Sequence, residues 1–480
     1  MSYFNSITRN NQITNGINIF KDWLLKANLD IKTYQEDGVR FLLEREYDDE
    51  PFRNCKGGII ADEMGLGKTI MTLGLILSHR LEHTLIVVPT VLLGQWENEI
   101  IRLLGHYPYV YHGSKKHTKS IRESPVVITT YGTLSGSYGY NALTSFRWNR
   151  IVYDEAHRLR NEETKVHTVA KKLNTTYIWC LTGTPIQNKT FDLVSLCKIL
   201  QVSEPKNLDI HDMDWLIDKF VIKRTKKQVG IDLLPVIYKN TMVDWNMDEE
   251  LNMACDLHST LQFTGVTMGN VNKITKLLST STLPKLIRMR QMCILPMTMQ
   301  NSVDKLIKEG MLDESDVIEG INGTSKMDAI LKQLKENKND GEKKLIFTHF
   351  KLEMNHLMNK ISNDLNLKVA CIQGSTTQSL REEYITSLEY DVLILQINSS
   401  CEGLNLQLYT QVYFTSPHWN PSVESQAIAR AHRIGQNKQV TVYRFIMNGF
   451  GIYTKSIEQY ILEVQTMKRK WMRIFDRIDS

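Results

Sequence analysis

A chain of 480 residues, 42% hydrophobic and 23% charged, is too long for one ordinary core and predicts about two to four domains of a globular protein. The net charge of +5 permits a polyanionic partner but fits a mildly basic enzyme equally well. Seven Cys without a Cys-x-x-Cys pair exclude a disulfide frame and point to reduced thiols in an intracellular compartment. An apolar run long enough to span a bilayer is missing, as is a signal-like N-terminus, so neither spanning nor secretion is expected.

In chain order, residues 1–30 form an N-terminal extension with one helical pattern, Ile17, Phe20, Trp23, Leu24 and Leu25. Tyr34 and Gln35 follow; an amide carries both donor and acceptor for an adenine edge, and an aromatic ring covers its face, although a plain surface helix fits the same residues. Ile59 to Ile70 is the most informative stretch. A short apolar strand runs into Asp62-Glu63-Met64-Gly65-Leu66-Gly67-Lys68-Thr69 and then into an apolar helix. Backbone N–H groups at such a loop face phosphates, Lys68 reaches the outer ones, and the Thr69 hydroxyl suits Mg²⁺. The cradle is that of a nucleoside triphosphate, with Asp62 where a glycine is usual. His79 and His83, four apart without an evident third ligand, read as helix-surface residues.

Leu85–Thr90 and Val126–Tyr131 read as buried strands, with Pro89-Thr90 and the hydroxyls of Thr129-Thr130 at their ends. Strands alternating with helical patterns predict an α/β, doubly wound parallel sheet, with ligands at the strands' carboxyl ends. The strand Arg150–Tyr153 ends in Asp154-Glu155. Beside a phosphate loop, the first carboxylate is placed to hold Mg²⁺ and the second to activate water. A short strand, Tyr177–Cys180, precedes the polar loop Leu181–Asn188. Residues 31–204 are therefore one ATP-binding lobe. The rhythm then lapses, and residues 205–325 read as a mostly helical insertion holding the basic cluster Lys223–Lys227, a solvated face or a phosphate contact. A second α/β lobe, 326–450, begins at strand Lys344–Phe347 and continues with Lys368–Ile372, Val392–Gln396 and Gln411–Phe414. It lacks a second phosphate loop but carries Gly403-Leu404-Asn405-Leu406 and a helix with Arg430 and Arg433, three apart and so on one face. Two guanidiniums on such a lobe suit a trans-acting role on a γ-phosphate held elsewhere.

Asp62-Glu63-Met64-Gly65-Leu66-Gly67-Lys68-Thr69, Asp154-Glu155-Ala156-His157, Leu181-Thr182-Gly183-Thr184-Pro185-Ile186-Gln187-Asn188 and Gln426-Ala427-Ile428-Ala429-Arg430-Ala431-His432-Arg433-Ile434-Gly435-Gln436 resemble the Swi/Snf-type ATPases of helicase superfamily two, in order, over about residues 31 to 445. The resemblance implies two RecA-like lobes sandwiching ATP and translocating on double-stranded DNA. It assigns Gln35 and Gln426 to the nucleotide, Asp62 to Thr69 to its phosphates, and Thr69 and Asp154 to Mg²⁺. Lys68, Asp154, Glu155, Arg430 and Arg433 are then catalytic, and Pro89, Thr90, Thr130 and Asn405 line the DNA groove. Contacts there are expected to fall on phosphates, hence to be salt-sensitive and largely sequence-independent. Two positions depart from the family pattern: Ser399-Ser400-Cys401 replaces Ala-Gly-Gly, and His349 stands where Gln is common. Residues 451–480 end in a basic amphipathic stretch, Lys468–Arg473, read as a brace on the first lobe in preference to a nucleic-acid contact. The expected activity is a DNA-stimulated ATPase that remodels or displaces DNA-bound proteins, nucleosomes among them. Alternatives are a strand-separating helicase, an RNA-directed or transcription-associated triphosphatase, and a silent DNA-binding scaffold; the presence of all five catalytic residues argues against the last. The substrate places the protein in a nucleus or a viral replication compartment.

Overall fold

The computed structural model describes residues 2–48, 55–113, 118–136, 142–183, 191–202, 210–259, 283–308, 320–397, 404–451 and 454–476. The chain divides into two compact units, Met1–Asp232 and Leu233–Ser480. Among the described residues, no helix is long and apolar enough to cross a membrane.

The first unit is built on a seven-stranded sheet. Its strands are β1 (Gly57–Ile60), β2 (Thr84–Val88), β3 (Tyr109–Val110), β4 (Val126–Thr130), β5 (Arg147–Asp154), β6 (Asn174–Leu181) and β7 (Val221–Ile222), in spatial order β3-β4-β2-β5-β6-β1-β7. Every pairing is parallel. All residues of β1, β2 and β4 are buried, as expected where crossover helices cover both faces. The second unit holds a six-stranded sheet, also parallel throughout. Its strands are β8 (Ile237–Val243), β9 (Lys343–Thr348), β10 (Val369–Ile372), β11 (Val392–Gln396), β12 (Tyr409–Phe414) and β13 (Thr441–Met447), ordered β10-β11-β9-β12-β13-β8. The α/β class with two parallel sheets is therefore as the sequence predicts.

The segment 205–325 lends a strand to each sheet: β7 pairs with β1 (Ile59 with Val221), and β8 pairs with β13 over seven residues. The unit boundary falls inside it, at 232/233. Helix Leu283–Ile294 adds Leu286, Met289 and Cys293 to the core under the second sheet. The N-terminal helix Ser2–Lys26 is no mere extension. Its Phe20 is fully buried, and a Cβ on Gly74 would lie 2.4 Å from the Phe20 ring, so this helix sits directly on helix Lys68–Ser78. Helix Ile457–Asp476 turns its apolar face into its own unit. Ile457, Tyr460, Ile461 and Val464 belong to the second unit's core. The side chains of Trp471 to Arg473 lie outside the described residues.

Candidate nucleotide and nucleic-acid site

Helix Lys68–Ser78 starts from Gly67, whose φ of +87° no L side chain adopts cheaply, and no side chain caps it. A helix start of this kind favours an anion through its N–H groups and dipole. Gly65 has a φ of +91° and is exposed, while Leu66 is fully buried and anchors the loop. Gln35, 6% exposed, donates from Nε2 to Leu66 O at 3.2 Å, and a Cβ on Gly67 would lie 2.4 Å from that nitrogen. The residue expected to read adenine is therefore also a strut of the loop. Beside it lies a cavity of about 650 Å³ lined by Lys32, Tyr34, Asp37, Arg224, Gln228 and Ile231 among others.

Lys68 donates to the backbone oxygen of Asp62 at 2.6 Å. The Asp62 carboxylate points elsewhere. It is fully buried and paired with Arg224, Nε to Oδ1 at 3.0 Å and Nη2 to Oδ2 at 2.5 Å. A buried carboxylate held by a guanidinium shapes the loop from within. The pairing of Arg224 with Asp62 is not evident from the basic cluster alone; the signal is the odd Asp62, which as a buried charge demands a partner. Lys226 of the same cluster is 7% exposed and pairs with Glu63 at 3.2 Å, so these cations are structural.

At the end of β5, Asp154 accepts from Trp96 Nε1 (2.7 Å, Oδ2) and from Glu155 N (2.9 Å, Oδ1). Burial, reinforced by the neighbouring Glu155 charge, pushes Asp154 up to about 6, against the Trp96 hydrogen bond and the Lys68 charge. Glu155 sits at φ +51°, a left-handed conformation uncommon for a residue with a Cβ. Its Oε2 lies 3.2 Å from His157 Nδ1. Trp96 was visible in the sequence without a role; its indole N–H is the link between the segment after β2 and this carboxylate.

Of the four residues expected along a nucleic-acid groove, Thr90 and Asn405 are exposed, Pro89 is buried, and Thr130 is 1% exposed. Thr130 turns inward. Its hydroxyl caps helix Tyr131–Ser135, accepting from Thr133 N and donating to Thr133 Oγ1, so the hydroxyls ending β4 fold inward. His79 is corrected. It lies past the helix end and bonds Glu46 Oε2 at 2.6 Å, within a buried set where Glu46 also accepts from Arg150 Nε (2.6 Å) and Trp179 Nε1 (2.9 Å).

In the second unit, helix Pro421–Ala431 ends before Arg433. Arg430 and Arg433 therefore do not share a helical face. Arg433 follows in a turn closed by Gln436 N to its carbonyl at 2.9 Å, and burial together with the Arg430 charge lowers its pKa. Both are partly exposed, while Gln426 is 5% exposed. Leu406 N donates to Arg430 O at 3.0 Å, and Gln436 Nε2 donates to Gln407 O at 2.7 Å, which joins the Asn405 loop to the arginine turn. Residues Thr184–Asn188, Ser399–Cys401 and Gly403 lie outside the described residues.

A family model of the SNF2-related domain matches residues 34–298, and one of the helicase conserved C-terminal domain matches residues 325–435. A probable global transactivator of Orgyia pseudotsugata multicapsid polyhedrosis virus is 27% identical, covering 92% of this chain and 91% of its own. The human DNA excision repair protein ERCC-6-like is 26% identical, over 92% of this chain and 41% of its own. The ISWI chromatin-remodeling complex ATPase ISW2 of Saccharomyces cerevisiae is 26% identical, over 91% and 40%. The chain spans between 35% and 58% of the length of the repair-protein relatives. A solved structure, the Sulfolobus solfataricus SWI2/SNF2 ATPase core in complex with dsDNA, matches over 92% of each chain at 24% identity and a TM-score of 0.41. With the first of these models covering more than half of its length, the chain belongs to the SNF2-related family of helicase-like ATPases.

Proposed function

We propose that the protein hydrolyses ATP in response to double-stranded DNA and moves along the duplex, displacing or remodelling proteins bound there. The observation that supports this most is the pairing, on one sheet, of an uncapped helix N-terminus after a two-glycine loop with a buried Asp154-Glu155 pair at a strand's carboxyl end. Helix N–H groups and Lys68 bind the phosphates. Gln35 and Tyr34 take the adenine, the amide fixing its edge and the cavity beside them receiving the nucleoside. Glu155, set apart from Asp154 by its left-handed backbone, accepts a proton from the attacking water. The hard oxygen donors Thr69 and Asp154 fit Mg²⁺, which when bound neutralises phosphate charge. Arg430, on helix Pro421–Ala431, and Arg433, in the turn after it, supply the guanidiniums that stabilise charge in the transition state, and Gln426 of that helix contacts the nucleotide.

The exposed Thr90 and Asn405 contact DNA phosphates, with Pro89 setting the path of the chain at Thr90. The names of the relatives, a viral transactivator, repair proteins and a chromatin-remodelling ATPase, support a DNA-directed role in a nucleus or a viral replication compartment. Triplex displacement tests movement. ATP-dependent release of a third strand from duplex DNA, without unwinding of the duplex, is the expected result. Unwinding of a forked duplex would favour the strand-separating alternative, and no displacement with ATP would overturn translocation.

A further inference from the structure

Asp62 holds two things at once. Its backbone oxygen accepts from Lys68 at 2.6 Å, and its carboxylate takes the Arg224 fork. The same guanidinium donates from Nη1 to Tyr34 O, lies 5.7 Å from the Tyr34 ring centroid, and sits 3.4 Å from Met71 Sδ on the loop's own helix. One side chain therefore touches the start of the glutamine-bearing helix, the loop entry and the helix after the loop. Backbone bonds run alongside: Ala61 N to Ile222 O at 2.7 Å and Glu63 N to Arg224 O at 2.9 Å. Glu63 Oε2 accepts from Lys226 N at 2.8 Å. Residues 223–232 form a strap that ends at the boundary of the first unit.

Two left-handed glycines make the loop conformationally permissive, so something must fix its entry. We propose that Arg224, through its fork on Asp62, is a positioning residue for the phosphate loop and makes the strap Lys223–Asp232 respond to bound nucleotide. The inference rests on the nucleotide reading above. Lys68 must leave Asp62 O to reach a phosphate, which frees the Asp62 peptide while its carboxylate stays on Arg224. The movement at Lys68 is thereby passed to Arg224 and to the strap. A lysine at 224 keeps the charge but loses the two-pronged geometry.

The test uses the full chain. Arg224→Gln alone strands a buried carboxylate, so the pair is neutralised together as Asp62→Asn with Arg224→Gln, and Arg224→Lys is made separately. Folding is checked by circular dichroism, affinity by a fluorescent ATP analogue, and strap response by tryptic cleavage at the exposed Lys227 with and without that analogue at saturation. Wild type is expected to bind the analogue and to change its cleavage rate at Lys227 when bound. The folded double variant is expected to bind about 10- to 100-fold more weakly and to show no nucleotide-dependent change at Lys227, with Arg224→Lys intermediate. Should the double variant unfold, Arg224→Lys decides by the same two readouts. Wild-type affinity and wild-type strap response in the folded variants would overturn the inference. Wild type that binds the analogue without any change at Lys227 would overturn it as well, leaving the functional reading intact. Wild type that binds no nucleotide would overturn that reading and the inference with it.

Discussion

The two sheets share a parallel architecture, yet they treat a strand-to-helix turn in opposite ways. After β1, helix Lys68–Ser78 begins at a left-handed glycine with no side-chain cap, leaving its N–H groups open to a phosphate. After β9, the carboxylate of Glu353 accepts from His349 N and Phe350 N, both at 2.9 Å, at the start of helix Lys351–Leu365. The second unit thus carries its anion built in. Its neighbouring strand ends are closed by side chains as well: His349 Nε2 meets Ser416 O at 3.0 Å, and Arg290 Nη2 reaches Pro417 O at 3.1 Å. A parallel sheet supplies a place for a ligand at its strand ends; whether the place is open depends on one or two residues in the turn.

The largest effect expected from this contrast is on chemistry in the first unit. Glu155→Gln should keep ATP binding and lower hydrolysis by about 10⁴-fold, measured under single-turnover conditions; normal turnover would remove the water-activating role. Arg433→Ala, in the second unit, should leave ATP binding near wild type and cut turnover by about 10³-fold. An unchanged rate would show that the second unit contributes no guanidinium to catalysis, and the division of labour between the sheets would fail.

Stability sharpens the same comparison. Burial alone would raise Glu46, but the charge and hydrogen bonds of Arg150, with those of His79, outweigh it and lower its pKa. Burial wins at Glu353, whose pKa is raised despite hydrogen bonds from Phe350 N and His349 N. Glu46→Gln strands the fully buried Arg150 and should cost about 3–5 kcal/mol, whereas Glu353→Gln should cost about 1–3 kcal/mol, both read by denaturant unfolding near neutral pH. The pH signs are opposite. Glu46's contribution is complete above its unfolded value, near 4.5, and is lost as pH falls through its lower folded value. Glu353 binds its proton more readily folded than unfolded, so its contribution grows as pH falls from its raised value toward 4.5. Hydrogen exchange of peptides from β5 and β9 across that range separates the two; a common slope would contradict the assignment. The smallest effect is expected from Trp96→Phe, which keeps the buried ring and loses only the hydrogen bond to Asp154, lowering turnover about 10-fold.

Much of this was legible in the chain. β1, β2, β4, β5, β9 and β11 are short apolar runs bounded by turn residues, and buried parallel strands look that way. β8 was missed because it is an edge strand with its first four residues exposed, and β7 because two residues carry no pattern. β13, Thr-Val-Tyr-Arg-Phe-Ile-Met, has the β-branched and aromatic composition of a strand but lies beyond the last functional motif. Motif spacing located the glycine loop and the acid pair because both are contiguous in sequence. It could not see Arg224 on Asp62, separated by 162 residues, or Trp96 on Asp154, separated by 58. Nor could helical spacing show that the helix stops at Ala431, ahead of Arg433.

The central claim, an ATPase driven by duplex DNA, is tested most directly by steady-state ATP hydrolysis of the full chain alone and with duplex DNA, single-stranded DNA or RNA at matched phosphate concentration and fixed salt. A duplex-driven ATPase shows a low rate alone and strong stimulation by duplex DNA that weakens as salt rises. Stimulation by RNA alone, or a rate indifferent to every nucleic acid, would contradict it.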